Sequence, residues 1–204
     1  VALLREDRVV LSQHLGDLST VEADKAFRQA ISDLQQLLQV TPKAIACDLH
    51  PDYRSTTFAR ELAATLSVPF IPVQHHHAHV ASCMAEHKLD GEVLGIAWDG
   101  AGYGRSGQVW GGEFLITSYR QFTRLASLNP FRLLGGEAAM KEPGRSAAAL
   151  LWELMGEGMP EHQCPSWKIS HNQREKFASV LKSGIASPWT TSMGRLFDAV
   201  ASLT

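Results

Sequence analysis

Four of the nine histidines in this 204-residue chain fall within five consecutive positions: His75, His76, His77 and His79. If a helix begins at about His75, then His75 and His79 lie on one face, with Cβ atoms roughly 5–6 Å apart. Two imidazoles at that spacing can hold one divalent metal, and neutral imidazole suits Zn²⁺ or Fe²⁺. The helical period turns His76 and His77 about 100° and 200° away. The spacing therefore predicts part of a metal site at His75 and His79, with a polar strand-to-helix turn as the alternative.

Two further residues follow this cluster along the same predicted helix. Cys83 continues the face of His75 and His79 and is a candidate ligand, but a small cysteine in such a helix more often packs in the core, and we favour packing. His87 is rotated about 120° off that face by the 3.6-residue period, so the predicted site excludes it. Two histidines are too few ligands, and a carboxylate from elsewhere in the chain is expected to complete the site.

Asp99 is the candidate for that carboxylate. It follows the apolar run 93–98, which predicts a strand, and opens a glycine-rich segment at 99–104, which predicts a turn before the next strand. Glycine permits positive φ and allows backbone N–H groups to approach an anion closely. An aspartate at this position can bind a metal directly or through water, although an Asp-Gly pair is also common in plain hairpins. The run 110–113 carries two more glycines, which indicate a bulge or a close backbone approach.

The elements that would position these residues change character along the chain. Up to residue 90, apolar spacing predicts strands at 9–11, 44–47 and 68–73 and helices at 21–38, 56–66 and 76–87. Beyond residues 88–92, it predicts a meander of strands at 93–98, 109–117 and 122–128, then helices at 146–155, 172–182 and 193–203. We therefore expect an α/β segment with the histidine motif at 1–90, and a meander followed by helices at 91–204. A second boundary is expected near 156–168.

Composition narrows the class of protein. Hydrophobic residues make up 45% and charged residues 20%, and the net charge of −2 gives no reason to expect nucleic acid or a membrane surface as a partner. The cysteines Cys47, Cys83 and Cys164 form no CxxC pair, and no apolar run of 18 residues occurs, so a cytoplasmic protein is expected. The chain begins without Met and stops inside a helical pattern, which favours a fragment.

Several spaced motifs resemble the C-terminal half of the HypF family, the carbamoyltransferases of hydrogenase maturation. The motifs are 12–18 (SQHLGDL), 48–56 (DLHPDYRST), 74–79 (QHHHAH), 99–104 (DGAGYG), 110–113 (WGGE) and 194–200 (GRLFDAV). The resemblance implies an α/β fold of the actin, Hsp70 and sugar-kinase type, in which two RNase-H-like lobes enclose a nucleotide. The fragment would hold the first lobe and the start of the second, both belonging to one truncated transferase domain.

The resemblance also implies a reaction and a set of site residues. Carbamoyl phosphate and ATP give carbamoyl adenylate, and the carbamoyl group passes to the C-terminal Cys thiol of a HypE-like partner. By position, His75, His79 and Asp99 match the family's ligands for a divalent metal, either zinc or iron. The nucleotide is expected near Asp99, Gly100, Gly102 and Asp198. The alternative for Asp198 is a helix residue that faces solvent. The fragment is expected to be inactive alone.

Other interpretations remain open from the sequence. An O-carbamoyltransferase acting on a small hydroxylated molecule would share the fold, the metal and the adenylate. A non-catalytic nucleotide-binding module would share only the fold, and a plain structural α/β domain would carry the histidines incidentally. The loop residues His50 and Tyr53 have no assigned role, and Lys141, Arg145 and Arg195 are phosphate-binding candidates that are more often surface charges.

Overall fold

The computed structural model describes residues 1–104, 107–156 and 170–204. Contacts divide these residues into two compact units, Val1–Val73 (unit 1) and Gln74–Thr204 (unit 2). Cys164 and nearly all of the boundary expected at 156–168 lie outside the described residues. Within the described ranges, no helix combines the length and the apolar character needed to cross a bilayer.

Unit 1 consists of a hairpin followed by alternating helices and strands. Its elements are β1 (Ala2–Arg5), β2 (Arg8–Leu11), α1 (Val21–Leu38), β3 (Ile45–Asp48), α2 (Arg54–Leu66) and β4 (Phe70–Val73). The first two strands pair antiparallel, and β3 and β4 pair in parallel with α2 as the crossover between them. A parallel pair requires such a crossover. The predicted strand–helix–strand order at 44–73 is therefore confirmed, whereas the sequence did not predict β1.

Unit 2 is built on a sheet of five described strands. Its elements are α3 (His75–Glu86), β5 (Val93–Tyr103), β6 (Val109–Thr117), β7 (Phe122–Ser127), β8 (Phe131–Arg132), α4 (Ala138–Lys141), α5 (Pro143–Met155), α6 (His171–Ser183), β9 (Trp189–Thr190) and α7 (Met193–Leu203). Strands β5, β6 and β7 form the predicted antiparallel meander. The short strand β9 joins β6 in parallel and β8 antiparallel. The change of pattern expected at 88–92 lies between α3 and β5.

The Asp-Gly segment is not the hairpin turn that the sequence predicted. Strand β5 continues through Asp99 to Tyr103, and its pairing with β6 shifts register between Trp98 and Gly102. Such an irregularity bends the strand and leaves its extra residues out of the ladder. The chain reverses only beyond Tyr103, so Asp99 lies on a bulge within a paired strand rather than at the tip of a loop.

A small apolar cluster fixes α3 against β5. Val80 and Met84 of the helix and Ala97 of the strand are buried together, with Val93 packed against them. Gly95 allows the close approach, because a Cβ atom there would lie 2.5 Å from a methyl carbon of Val80. Burial of each large side chain contributes about 1.5–3 kcal/mol, and this packing places the start of α3 beside the bulge of β5.

A larger cluster lies among the later helices. Its buried residues come from β8, α5 and α6 and from the segment after β8: Phe131, Leu134, Ala148, Ala149 and Leu181. Leu196 of α7 packs against this cluster. The cluster therefore anchors α7, whose first turn reaches the candidate site.

Candidate metal centre

Helix α3 begins at the histidine cluster because Gln74 caps it. The side-chain oxygen of Gln74 accepts the backbone N–H of His77 at 2.9 Å, which satisfies one of the donors that a helix N-terminus leaves free. The first helical turns then carry His75 and His79 on one face. Their Nε2 atoms lie 3.2 Å apart, so the fold brings these two imidazoles together.

The bulge of β5 adds Asp99 to the same point in space. Its Oδ2 atom lies 3.0 Å from Nε2 of His75 and 3.8 Å from Nε2 of His79. The other oxygen, Oδ1, accepts the N–H of Gly100 at 2.6 Å. Oδ2 is buried and accepts no hydrogen bond from the described residues, because the short contact with His75 lacks hydrogen-bond geometry. A buried carboxylate oxygen without a donor is costly, and a cation at this point would satisfy it.

The separations between the three ligand atoms fit one small cation. Metal–ligand bonds of about 2.1 Å in a tetrahedral zinc site place neighbouring ligand atoms roughly 3.4 Å apart. The observed separations of 3.0, 3.2 and 3.8 Å lie on either side of that value. The side chain of His79 is 55% exposed, so solvent can reach the three candidate ligands from the side of His79. Three protein ligands with one open position are typical of a catalytic site rather than a structural one.

His76 reaches the same carboxylate from the buried side. Its side chain has no exposed surface, and its Nε2 lies 3.8 Å from Oδ2 of Asp99. Burial, and secondarily the neighbouring His75, lowers the pKa of His76 to about 4, so the ring is neutral at pH 7. Helical geometry predicted that His76 points away from the ligand face, and only the position of β5 reveals how close it comes to Asp99.

Two other residues of α3, His77 and Cys83, lie outside the candidate metal site. The ring nitrogen Nε2 of His77 lies 2.7 Å from the carbonyl oxygen of Ser118, and the ring packs against Phe122, so His77 joins the helix to the meander. Cys83 is exposed, and the prediction that it packs in the core was wrong. It turns towards solvent because Val80 and Met84 occupy the face of α3 that meets the sheet.

Glycines permit the close packing around Asp99. A Cβ atom on Gly102 would lie 2.5 Å from the His76 ring and 3.0 Å from atoms of His75. A Cβ atom on Gly111 would lie 2.6 Å from the backbone oxygen of Asp99. By contrast, a Cβ atom on Gly100 would meet nothing within 4 Å. Gly102 and Gly111 therefore make room for the site, whereas Gly100 borders open space.

The first turn of α7 packs against the same bulge. The hydroxyl of Ser192 donates to the carbonyl oxygen of Gly100 and also caps the helix by accepting the N–H of Arg195 at 3.0 Å. A Cβ atom on Gly194 would lie 2.8 Å from the Cα atom of Gly100. Asp198 lies one turn farther along α7. The bulge therefore lies between the start of α3 and the start of α7.

The buried carboxylate of Glu113 links the strands of the sheet to the segment before α7, and the sequence did not predict this role. Glu113 on β6 has no exposed surface. It accepts hydrogen bonds from the hydroxyl of Thr191 and, at 2.6 Å, from Nε of Arg124, whose guanidinium lies 4.2 Å from the ring centre of Trp110. These contacts join β6, β7 and the segment before α7. In the sequence, Glu113 ends the motif 110–113 and lies in an otherwise apolar stretch, but neither feature predicted a role for it.

The other candidate residues are engaged locally. Arg195 and Asp198 form an ion pair within α7, with Nε and Oδ2 2.6 Å apart but outside hydrogen-bond geometry. Arg145 pairs with Glu142 at 2.9 Å. Lys141 ends helix α4 as an exposed residue.

His50 and Tyr53 lie in unit 1, in the loop after β3. Their rings stack with centroids 4.1 Å apart, and the N–H of Asp52 donates to Nδ1 of His50 at 3.2 Å. The N–H of His50 in turn donates to Oδ1 of Asp48 at 2.7 Å. These contacts account for the two residues as local turn structure.

Comparison with known families assigns both parts of the chain. Residues 1–86 match the HypF Kae1-like domain, and residues 95–204 match the second subdomain of the Kae1-like carbamoyltransferase domain. Among similar curated proteins, carbamoyltransferase HypF of Synechocystis is 40% identical over the whole chain, and HypF2 of Cupriavidus necator is 43% identical. The chain spans 28% and 25% of the lengths of these two relatives.

Solved structures agree in fold. A crystal structure of full-length HypF in a phosphate- and nucleotide-bound form matches 96% of this chain and 30% of its own, with a TM-score of 0.85 and 37% identity. The crystal structure of HypF from T. kodakarensis matches with a TM-score of 0.83 and 38% identity, over 96% of this chain and 27% of its own. The expected α/β fold and the family that the motifs predicted are both confirmed.

Proposed function

This chain belongs to the HypF family of carbamoyltransferases, and we propose that it forms the part of such an enzyme that transfers the carbamoyl group. The proposed donor is carbamoyl adenylate, made from carbamoyl phosphate and ATP. The proposed acceptor is the C-terminal cysteine thiol of a HypE-like partner in the maturation of [NiFe]-hydrogenase. The nucleotide-bound state of a structural relative supports a nucleotide as part of the donor.

The observation that carries the proposal is the convergence of His75, His79 and Asp99. Their ligand atoms all lie within 4.8 Å of one another, and one of them is a buried carboxylate oxygen without a hydrogen-bond donor among the described residues. Two imidazoles and a carboxylate suit Zn²⁺ or Fe²⁺. We therefore propose these three residues as ligands of one divalent metal.

The bound metal would act as a Lewis acid on a phosphate or carbonyl oxygen of the donor. The chain itself would hold the donor, with the open space at Gly100 as the place where a phosphate can approach the backbone. The partner's sulfur forms a bond to the carbamoyl carbon, the bond from that carbon to the AMP oxygen breaks, and the thiol proton is released. The nucleophile comes from the partner, so no serine or cysteine of this chain attacks.

The metal centre is tested by titrating the purified chain with Zn²⁺ and by elemental analysis. We expect one equivalent to bind, and we expect the single changes His75→Ala, His79→Ala and Asp99→Ala to weaken binding at least tenfold, because each removes a ligand. His87→Ala is the matched control, since His87 is exposed at the end of α3. Equal zinc binding by the wild type and by a variant that lacks all three ligands would contradict the metal centre.

The acceptor is tested in a full-length HypF protein that carries this sequence. With carbamoyl phosphate and ATP, a peptide ending in cysteine should become carbamoylated, and the same peptide ending in serine should not. Mass spectrometry of the peptides distinguishes the two. Transfer to hydroxyl groups in preference to the thiol would instead support the O-carbamoyltransferase alternative.

A further inference from the structure

The hydrogen bonds of Gln74 determine which ring nitrogen of His76 carries a proton. A backbone N–H can only donate, so the atom of Gln74 that faces the N–H of His77 at 2.9 Å must be the carbonyl oxygen. The amide nitrogen of Gln74 then faces Nδ1 of His76 at 3.1 Å and the carbonyl oxygen of Tyr103 at 3.3 Å. Both contacts use an N–H of the amide, so Nδ1 of His76 is an acceptor.

A neutral histidine carries one ring proton, and here it must be on Nε2. The ring of His76 has no exposed surface, which favours the neutral form. A nitrogen that carries a proton cannot bind a metal, because its lone pair is part of the ring's π system. His76 is therefore a hydrogen-bond donor at Nε2, even though it neighbours two candidate ligands in the chain.

That donor faces Oδ2 of Asp99. The two atoms are 3.8 Å apart, about 1 Å longer than an ordinary hydrogen bond to a carboxylate. Both are buried, and neither has a hydrogen-bond partner among the residues that the structure describes. Oδ1 of Asp99 is already engaged by the N–H of Gly100. Oδ2 can accept one hydrogen bond and still offer a second lone pair to a metal.

We propose that His76 is a positioning residue that donates from Nε2–H to Oδ2 of Asp99 and so orients this carboxylate towards the metal. The proposal rests on the metal centre of the proposed function. It adds a fourth residue to that centre, the third from the histidine cluster, and Gln74 is the group that sets its tautomer. Partners of this kind around metal ligands typically change metal affinity 10–100-fold. In the proposed contact, Nε2 of His76 and Oδ2 of Asp99 lie about 1 Å closer than the 3.8 Å of the structure.

Zinc affinity of two variants tests the role of His76. His76→Gln keeps an N–H close to the position of Nε2, whereas His76→Leu removes it. We expect His76→Leu to weaken zinc binding by 10–100-fold and His76→Gln to restore most of the loss. A purely structural role predicts that affinity follows the thermal stability of the metal-free variants instead. Unchanged affinity in His76→Leu, or equal loss in both variants, would overturn the proposal.

Ring ¹⁵N NMR of the metal-free wild-type chain determines the tautomer of His76 without a variant, and Asp99→Asn then tests its contact with Asp99. We expect a protonated Nε2 and an unprotonated Nδ1 on His76, and an upfield shift of the Nε2 proton in Asp99→Asn, in which a carboxamide replaces the charged acceptor. A proton on Nδ1, or no response to Asp99→Asn, would refute the inference. If the wild type binds no zinc, the metal centre fails, and the NMR result still determines whether His76 contacts Asp99.

Discussion

Burial decides what each of the neighbouring histidines can do. His79 is more than half exposed and can take a metal from solvent, whereas His76 has no exposed surface and is held by Gln74. His77 is buried against the carbonyl oxygen of Ser118. The four neighbouring histidines therefore include two candidate ligands, one proposed hydrogen-bond donor and one structural contact. Gly102 and Gln74 contact these rings and limit their positions.

Replacement of Gly102 by alanine should disturb the candidate ligands. The added methyl group would lie 2.5 Å from the His76 ring and 3.0 Å from His75, and overpacking of this kind costs about 1–3 kcal/mol. We expect lower thermal stability and weaker zinc binding, measured by calorimetry and titration. Gly100→Ala is the control, because its methyl group meets nothing within 4 Å. Equal effects of the two substitutions would contradict the close approach at Gly102.

The buried neutral ring of His76 should make the stability of the metal-free chain depend on pH. Its pKa of about 4 in the folded chain lies below about 6.5 in the unfolded chain. The unfolded chain therefore binds more protons between these values, and stability rises with pH across this window. The contribution, roughly 3 kcal/mol at most, is complete above about pH 6.5 and is lost as the pH falls towards 4.

Urea unfolding at pH 4.5 and 6.5 measures this dependence. The same experiment on His76→Gln should show a smaller difference in unfolding free energy between the two pH values, because that variant has no ring to protonate. An unchanged difference would show that another group is responsible.

At the scale of elements, the site depends on how helices α3 and α7 pack against the bulge of strand β5. Helix α3 is fixed by Val80 and Met84, and the first turn of α7 reaches the bulge through Ser192 and Gly194. The strands beneath are tied to the segment before α7 by the buried carboxylate of Glu113. Asp99 is therefore held by backbone packing as well as by its own hydrogen bond.

Loss of the charge on Glu113 should destabilise the sheet. Glu113→Gln leaves Arg124 without its buried partner, and breaking a buried ion pair from one side costs about 3 kcal/mol or more. The matched control is Glu142→Gln, which breaks a pair whose glutamate side chain is 60% exposed and which should cost less than about 1 kcal/mol. Chemical denaturation of both variants gives the comparison. Similar losses in the two would show that the buried pair adds no special stability.

At the scale of the whole molecule, the chain spans roughly a quarter of the length of its HypF relatives, and its described residues form two units. All three candidate ligands, together with His76 and Glu113, belong to unit 2. Metal binding is therefore expected to act on unit 2 directly.

Hydrogen exchange with and without zinc should locate that effect. At zinc concentrations about 100 times the dissociation constant, binding stabilises the folded form by about 2.7 kcal/mol. The added protection should be greatest in α3 and β5, because these two elements carry the ligands. Protection confined to unit 1 would contradict the assignment of the ligands.

Local patterns in the sequence were sufficient for most elements and for the family. The helices 21–38 and 193–203 have the predicted bounds, because helical periodicity is a property of neighbouring residues. The HxxxH spacing likewise placed His75 and His79 on one face. Only the tertiary structure decided that Asp99 lies on a bulge within β5, that His76 faces it and that Glu113 supports it, because these contacts depend on the register between strands and on the packing of a helix against them, which no local pattern contains.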